Sequence, residues 1–312
     1  MKHYFQKLNN MCCVFICSIG VIVMKLRLDC VACIVKQALK AARLATSDPK
    51  IQEEILRRVM RRLTEISWAG TPSQLVRATR VTELIEELTG IDDPYRELKK
   101  ASNDEALAIV EDVRSLILSH KDPLRAAVKV AIAGNIIDYA AVETYNLRET
   151  IEKVLKQKPA IDDYERLRDE VLGAETLLYF ADNAGEIVFD KLLIEEMIIF
   201  RGKPFRKISF VVKGGPTLND ATIEDALYIG LDKLPNIEFK KVSSGKPGTG
   251  PEPTSPEVLS WIRNHDLVIS KGQGNYEDLS DIKGIYFLLI AKCPVVAEDL
   301  GVKVGDIVIK RG

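Results

Sequence analysis

Three short apolar segments in the C-terminal half of the chain each run directly into a polar, glycine-containing loop. The segments are Thr176–Phe180, Ile208–Val212 and Leu267–Ser270. They are apolar on both faces, and helical patterns such as Ile187–Phe200 lie between them, which is typical of parallel strands covered by helices on both sides. Further β-rich runs lie at 237–242, 285–291 and 306–310, and the last two are close enough to pair as an antiparallel edge. We therefore predict a Rossmann-like, mostly parallel sheet within residues 174–312.

The preceding part of the chain has helical periodicity throughout. From Asp29 to about Leu172, apolar residues recur three and four positions apart. Helices are expected over Pro72–Leu88 and Pro123–Val142, because proline at the first helical position costs no intrahelical hydrogen bond. We predict an all-helical domain over residues 24–173 and an α/β fold for the whole chain.

Residues 1–23 form an extra N-terminal segment. Its apolar part, Met11–Met24, follows basic residues as a signal peptide would, but it is too short to span a bilayer comfortably and no typical cleavage site follows. We interpret it as a start-site artefact, with a peripheral segment or an export signal as alternatives. The six cysteines are unevenly spaced and do not suggest a disulfide framework, so a cytoplasmic location is predicted.

The charge composition identifies no macromolecular partner. The chain has 44 basic and 45 acidic residues and a formal net charge of −1. It therefore has no global field that would attract nucleic acid or an anionic membrane. The expected partner is a small molecule, and the sequence leaves the oligomeric state open.

Oxygen-bearing side chains follow two of the predicted strands. Asp182 and Asn183 come directly after the first, and Asp220 lies in the loop after the second. Two carboxylates and an amide are suited to a hard divalent cation, with Mg²⁺ or Mn²⁺ fitting best and Ni²⁺ or Co²⁺ as further possibilities. The alternative is that Asp182 and Asn183 only cap the following helix, a common role for these residues.

The same loops have features of a phosphate site. Gly272 and Gly274 allow backbone amides to approach an anion, and Lys213 and Lys271 stand at strand ends where a cation can neutralise phosphoryl oxygens. We predict Lys271 as catalytic and Lys213, Gly272, Gly274 and the adjacent Asn275 as substrate-binding. Either lysine could instead be an ordinary solvent-facing strand end.

Two pairs of polar residues are further candidates. Glu186 and Asp190 lie four residues apart and share one helix face. One of them could support the metal or act as a general base on its water, or the two could form an exposed acidic surface. Asn135 and Asp138 interrupt an apolar helix and would either complete the substrate pocket or bond to another helix.

Cys30 and Cys33 stand at a helix start, where thiols can bind metal or cycle redox, but no second such pair supports zinc. No Gly-x-Ser-x-Gly motif, dinucleotide fingerprint or Walker motif is present, which argues against triad hydrolases, dinucleotide enzymes and nucleotide triphosphatases.

Taken together, these motifs resemble the damage-control phosphatases, a metal-dependent family, in its branch with an N-terminal Cys-x-x-Cys. The resemblance covers nearly the whole chain from Met24 and rests on Asp29-Cys30-x-x-Cys33, Asp93-Pro94-Tyr95 with Lys99 and Asn103, Gly134-Asn135-x-x-Asp138, Asp182-Asn183-Ala184-Gly185-Glu186, Pro216-x-x-Asn219-Asp220, Lys271-Gly272-Gln273-Gly274-Asn275-Tyr276-Glu277 and Lys292-Cys293-Pro294.

The resemblance implies that Asp182, Asn183 and Asp220 bind the metal. It places Lys213 and Lys271, together with Asn135 and Asp138, in the phosphosubstrate pocket. It further implies a metal-dependent phosphatase acting on sugar phosphates or damaged phosphometabolites, with Asp182, Asp220 and Lys271 as catalytic residues. Two other functions remain open: S-adenosylmethionine-dependent carboxyl methylation, and metal or redox sensing by the thiols.

Overall fold

The computed structural model describes residue 24 and residues 26–135 and 147–312. Asp138 and the segment 1–23 therefore lie outside the described residues. The first part of the chain is helical, with elements α1 (Leu28–Ala45), α2 (Pro49–Glu65), α3 (Pro72–Thr79), α4 (Val81–Thr89), α5 (Arg96–Ala108), α6 (Val110–Leu118), α7 (Pro123–Gly134), α8 (Leu147–Lys156) and α9 (Tyr164–Gly173).

The second part alternates strands and helices. The strands are β1 (Ile161–Asp162), β2 (Thr176–Phe180), β3 (Lys207–Lys213), β4 (Ile237–Val242), β5 (Leu267–Lys271), β6 (Ile285–Ile290) and β7 (Ile307–Arg311). The helices between them are α10 (Glu186–Arg201), α11 (Ile223–Tyr228), α12 (Pro256–Arg263), α13 (Gly272–Leu279) and α14 (Pro294–Leu300).

The strands form one mostly parallel sheet, as predicted. Their order is β1-β7-β6-β5-β2-β3-β4, and all neighbours are parallel except β6 and β7. The antiparallel pair is therefore present, but β7 is not the edge strand, because β1 pairs beyond it. The sequence analysis missed β1 since a two-residue strand has no periodicity to detect.

Strand side chains divide between two apolar layers. Leu177 and Tyr179 of β2 join a core formed with α6–α11, whereas Leu178 and Phe180 join a core formed with α12–α14. This alternation follows from the two-residue repeat of a strand. Both faces of β2 are thus buried, which explains its unbroken apolar sequence.

The helical part divides differently from the predicted boundary at residue 174. Helices α1–α4 have their own apolar core, whereas α6–α9 pack in the core on one face of the sheet. Helix α7 is buried along most of its length, from Ala126 to Gly134 without a break, as its mostly apolar sequence requires. The expected helix Pro72–Leu88 is also broken in two, because Arg80 adopts a left-handed conformation with φ 51° between α3 and α4.

No helix within the described residues is long and apolar enough to cross a membrane. The thiols of Cys30, Cys33 and Cys293 are free of disulfides.

Candidate active site

The polar loops after β2, β3 and β5 meet at one edge of the sheet. These strands are neighbours in the order β5-β2-β3 and run parallel, so their carboxyl ends coincide. In open α/β sheets, ligands bind outside the carboxyl ends of the strands. The polar loops that follow the three apolar segments of the sequence therefore converge at this edge.

The loops after β2 and β3 are joined backbone to backbone. Asn183 and Asp220 form an isolated antiparallel bridge, and the Ala221 amide donates to the Asp182 carbonyl at 2.8 Å. Lys213 lies beside them, with Nζ 3.6 Å from the Asp220 carboxylate. The structure thus brings Asp182, Asn183, Asp220 and Lys213 together.

Helix capping does not explain the two residues after β2. The N-cap of α10 is Gly185, and no side chain caps this helix. Gly185 has φ 77°, a left-handed conformation that favours glycine, and its amide donates to Asn103 Oδ1 at 2.6 Å. The Asp182 and Asn183 side chains therefore serve some other purpose than capping.

A buried polar network holds this loop against α5 and α11. Asn103 on α5 also donates to Asp225 Oδ1 at 3.2 Å, and Lys99 Nζ lies 3.1 Å from Asp225 and 2.9 Å from Asp93. Asp225 in turn accepts from the Thr222 amide at the start of α11. These contacts fix the loop carrying Asp182 to the helical part of the chain.

Asn135 contacts the candidate metal ligands directly. Its Nδ2 donates to Asp182 Oδ2 at 2.6 Å and to Glu186 Oε2 at 2.7 Å, and the residue is fully buried. Its Oδ1 has no hydrogen-bond partner within the described part of the chain. Asn135 therefore orients the Asp182 carboxylate. It does not line the cavity in front of these loops.

Lys271 is buried behind the site. Its Nζ lies 2.5 Å from Glu186 Oε1, 2.7 Å from Asp190 Oδ1 and 2.8 Å from the Ala131 carbonyl oxygen. The side chains of Lys271, Glu186 and Asp190 have no exposed surface. The two alternatives considered from the sequence, a solvent-facing Lys271 and an exposed acidic face at Glu186 and Asp190, are therefore wrong. Lys271 does not line the cavity, so it is not placed to contact a phosphate bound there.

The charges in this network shift each other's protonation. Burial raises the pKa of Asp190 to about 7, and Glu186 adds to the shift while Lys271 opposes it. Burial alone would lower the pKa of Lys271, but the Asp190 and Glu186 carboxylates outweigh it and raise that pKa above its usual value. Lys271 therefore remains a cation.

The start of α13 is shaped around Asp182. Gly272 has φ 76°, and a Cβ there would lie 1.8 Å from Asp182 Oδ2, so only glycine fits. Asn275 Nδ2 donates to the Ala181 and Lys271 carbonyl oxygens at 2.9 Å each, which ties α13 to β2. Gly274 and Asn275 line the cavity, whereas Gly272 supports it from behind.

A cavity of ≈ 440 Å³ opens in front of these loops. At one end it is lined by Asp182, Asn183, Lys213 and Asp220. Its other wall includes Cys30, Cys33, Arg77, Glu277, Lys292 and Cys293. The volume lies within the range of small-molecule sites.

The wall that carries the thiols also carries one carboxyl with altered acidity. Burial raises the pKa of Glu277 to about 8, the neighbouring Asp278 adds to this, and the Ser73 amide and Arg77 oppose it. Arg77 is already paired with Asp278 at 2.6 Å and Glu252 at 3.1 Å.

Cys30 and Cys33 on the same wall are poor nucleophiles. Burial raises the pKa of Cys30 and of Cys33, and both thiols also feel the charge of Glu277 and Cys293. A raised pKa keeps a thiol protonated, whereas reactive cysteines require a lowered one.

The residues at the sheet edge fit a hard divalent cation. Asn183 donates its Nδ2 to Asp182 Oδ2 at 3.0 Å and to Glu186 Oε2 at 3.3 Å, so its carbonyl oxygen is the atom left to serve as a ligand. Two carboxylates and one amide oxygen are ligands typical of Mg²⁺ or Mn²⁺. Within residues 26–135 and 147–312, no group of three or more His, Cys, Asp or Glu side chains forms a metal site, as expected when one ligand is an amide.

Sequence reasoning gave no role to several residues of the site. Asn103 and Lys99 appeared only in the resemblance, and the pairing of Arg77 with Asp278 spans 201 positions and leaves no local signal. Glu277 also appeared only in the resemblance, although its position four residues after Gln273, on a helix that begins at the cavity, could have suggested a role.

The fold and the site define a class of α/β protein with an acidic oxygen-ligand site at the carboxyl edge of a parallel sheet. A sequence model described as the damage-control phosphatase ARMT1-like domain matches residues 27–308. The chain belongs to this damage-control phosphatase family, as the resemblance predicted.

Similar proteins come from archaea. A damage-control phosphatase of Archaeoglobus fulgidus is 33% identical, covering 92% of this chain and 99% of its own. A damage-control phosphatase of Pyrococcus horikoshii is 35% identical, and the match covers 92% of this chain and 98% of that protein. A crystal structure of a DUF89 family protein from Pyrococcus horikoshii matches with a TM-score of 0.79 and 33% identity, covering 92% of this chain and 99% of that one.

Proposed function

We propose that this protein is a metal-dependent phosphomonoesterase acting on small phosphorylated metabolites, with sugar phosphates and damaged phosphometabolites as the substrate classes to test. The observation that carries the proposal is the meeting of Asp182, Asn183 and Asp220 beside Lys213 at the wall of a metabolite-sized cavity. The names of the archaeal relatives support phosphatase chemistry. A cytoplasmic location remains part of this proposal.

Asp182, Asn183 and Asp220 would hold the divalent cation, which when bound polarises a phosphoryl group and lowers the pKa of water. Lys213 lies beside Asp220 and would neutralise phosphoryl oxygens at the same end of the cavity. Asn135 keeps the Asp182 carboxylate in place from behind.

Lys271 has a different role from the one predicted. Its contacts with Glu186 and Asp190 support a role in stabilising the buried base of the site. It would act on Asp182 through Glu186 and the two amides that bridge Glu186 and Asp182, those of Asn135 and Asn183. Attack on phosphorus by Asp182 itself is a second route, and an aspartyl-phosphate trapped by rapid quench would establish it.

The test is phosphate release from a panel of sugar phosphates and other phosphate monoesters, after chelation and after return of Mg²⁺, Mn²⁺, Ni²⁺ or Co²⁺. We expect release only when a divalent ion is restored. Equal activity in the chelated protein would contradict the metal requirement. Inactivity on the whole panel, with binding of S-adenosylmethionine, would instead favour carboxyl methylation, and zinc retained by thiols would favour a sensor.

A further inference from the structure

Hydrolysis of an alkyl phosphate leaves an alkoxide that needs a proton. At the phosphoryl end of the cavity, Asp182 and Asp220 are the proposed metal ligands, and Lys213 is the cation beside them that would neutralise phosphoryl oxygens. None of these roles supplies a proton to a leaving group. A general acid must therefore come from another part of the wall, within reach of the ester oxygen.

We propose that Glu277 is that general acid, a catalytic residue that donates its carboxyl proton to the ester oxygen of the substrate. This inference rests on the proposed phosphomonoesterase function.

The geometry of α13 places Glu277 at a suitable distance. The helix begins at Gly272, which is in contact with the Asp182 carboxylate. Glu277 follows five residues later and lies on the wall of the same cavity. At 1.5 Å per residue its Cα is about 8 Å along the helix axis from that contact. Since Asp182 and Glu277 line the same cavity, a substrate bound there with its phosphoryl group at Asp182 can place its ester oxygen on the side of Glu277.

The surroundings keep the Glu277 proton in place at neutral pH. The carboxyl is partly buried on the cavity wall, and this burial raises its pKa to about 8. The Arg77 guanidinium favours the ionised form of Glu277, but it already pairs with the carboxylates of Asp278 and Glu252. The other titratable groups on this wall are the carboxyl of Asp29, the thiols of Cys30, Cys33 and Cys293 and the ammonium group of Lys292.

The proposed step balances. Water bonds to phosphorus and loses a proton, and the bond between phosphorus and the ester oxygen breaks. Its electron pair stays on the ester oxygen, which takes the proton of Glu277 and leaves as an alcohol. The proton released by water returns to the Glu277 carboxylate, so the products are the alcohol and hydrogen phosphate.

Leaving groups of different basicity test this role. p-Nitrophenyl phosphate releases a stabilised phenolate, which departs without protonation. Glycerol 3-phosphate releases a strongly basic alkoxide, which must be protonated as it departs. With the metal-loaded protein, Glu277→Gln should lower kcat/KM for glycerol 3-phosphate about 10²- to 10⁴-fold, the usual contribution of a general acid. It should leave p-nitrophenyl phosphate hydrolysis close to the wild-type rate. Glu257→Gln, on an exposed position of α12, is the matched control and should change neither.

The pH profile gives a second readout that a structural role would not produce. In the wild-type protein, kcat/KM for the alkyl ester should fall as pH rises through about 8, because the acid loses its proton. That alkaline limb should disappear in Glu277→Gln, and Glu277→Asp should restore part of the rate and the limb. If Glu277→Gln fails to fold, the Glu277→Asp variant and the wild-type profile decide the question.

Two results would overturn the proposal: equal loss on both esters in Glu277→Gln, or no loss on either. A wild-type alkyl-ester profile without the limb would overturn it as well. If the wild-type protein releases phosphate from neither ester with metal present, the phosphomonoesterase function itself is wrong, which is a distinguishable outcome.

Discussion

The sequence predicted that Lys271 is a functionally important cation, but it did not predict where its side chain points. A lysine after an apolar strand at a sheet edge predicts a cation in the substrate site, and the side chain instead points away from the cavity to Glu186 and Asp190. Strand position alone does not determine this, because the partners come from α10 and the Ala131 carbonyl of α7, far away in sequence. Lys271 therefore belongs to a buried ion cluster beneath the site and not to the cavity wall.

Removal of the Lys271 charge should destabilise the protein strongly. Lys271→Met leaves two buried carboxylates without their cation, and breaking such a pair costs about 3–5 kcal/mol in the free energy of unfolding. The loss should be smaller at mildly acidic pH, because Asp190, whose pKa is already raised to about 7, then takes up a proton and the like-charge repulsion falls. Urea unfolding at acidic and alkaline pH measures both effects.

Lys283→Met provides the control for this prediction, since Lys283 is exposed on the turn before β6. It should change the free energy of unfolding by less than about 0.5 kcal/mol, as is usual for surface positions. A Lys271→Met protein as stable as the Lys283→Met protein would show that the buried ion pairs do not stabilise the fold.

At the scale of the elements, the sequence determined the strands well and the connections poorly. The apolar runs identified β2, β3 and β5 and hence the edge where their loops meet, since parallel strands share a carboxyl end. It could not locate the break at Arg80 or the left-handed Leu218, φ 49°, whose side chain packs against the core of α1–α4. Such backbone conformations are imposed by tertiary packing and not by local preference.

The junction between α5 and the loop after β2 allows a prediction of its own. Asn103 is buried, donates to Asp225 and accepts from the Gly185 amide. Asn103→Ala should lower the free energy of unfolding by about 1–3 kcal/mol, because the buried Gly185 amide loses its acceptor and the Asp225 carboxylate loses one of its donors. It should also raise the metal concentration needed for half-maximal phosphate release, since the loop that carries Asp182 loses a support.

Asn264→Ala is the matched control, since Asn264 is exposed at the end of α12. Chemical unfolding and metal-dependence curves of both variants are the measurements. A loss of stability in Asn103→Ala with an unchanged metal requirement would mean that the junction supports the fold and not the site.

For the whole molecule, two kinds of information contributed to the prediction. Periodicity gave an α/β chain with a helical first part, and ordered motifs gave the family, which the comparisons confirm. Neither could show that α6–α9 pack in the core of the sheet while α1–α4 form a separate core. The cavity is lined by side chains from both parts, including Cys30 and Arg77 from the helical part and Asp182 and Glu277 from the α/β part. Its shape therefore depends on how the layers pack, which no local pattern encodes.

The most direct test of the account is calorimetric titration of the chelator-treated protein with Mn²⁺, carried out in parallel on Asp182→Ala, Asp220→Ala and the control Asp169→Ala, which alters an exposed residue of α9. We predict one site in the wild-type and control proteins. In the two site variants the dissociation constant should rise by more than about tenfold, since even outer partners of a metal site contribute 10–100-fold. The same affinity in all four proteins, or no binding in any of them, would contradict a metal site at these residues.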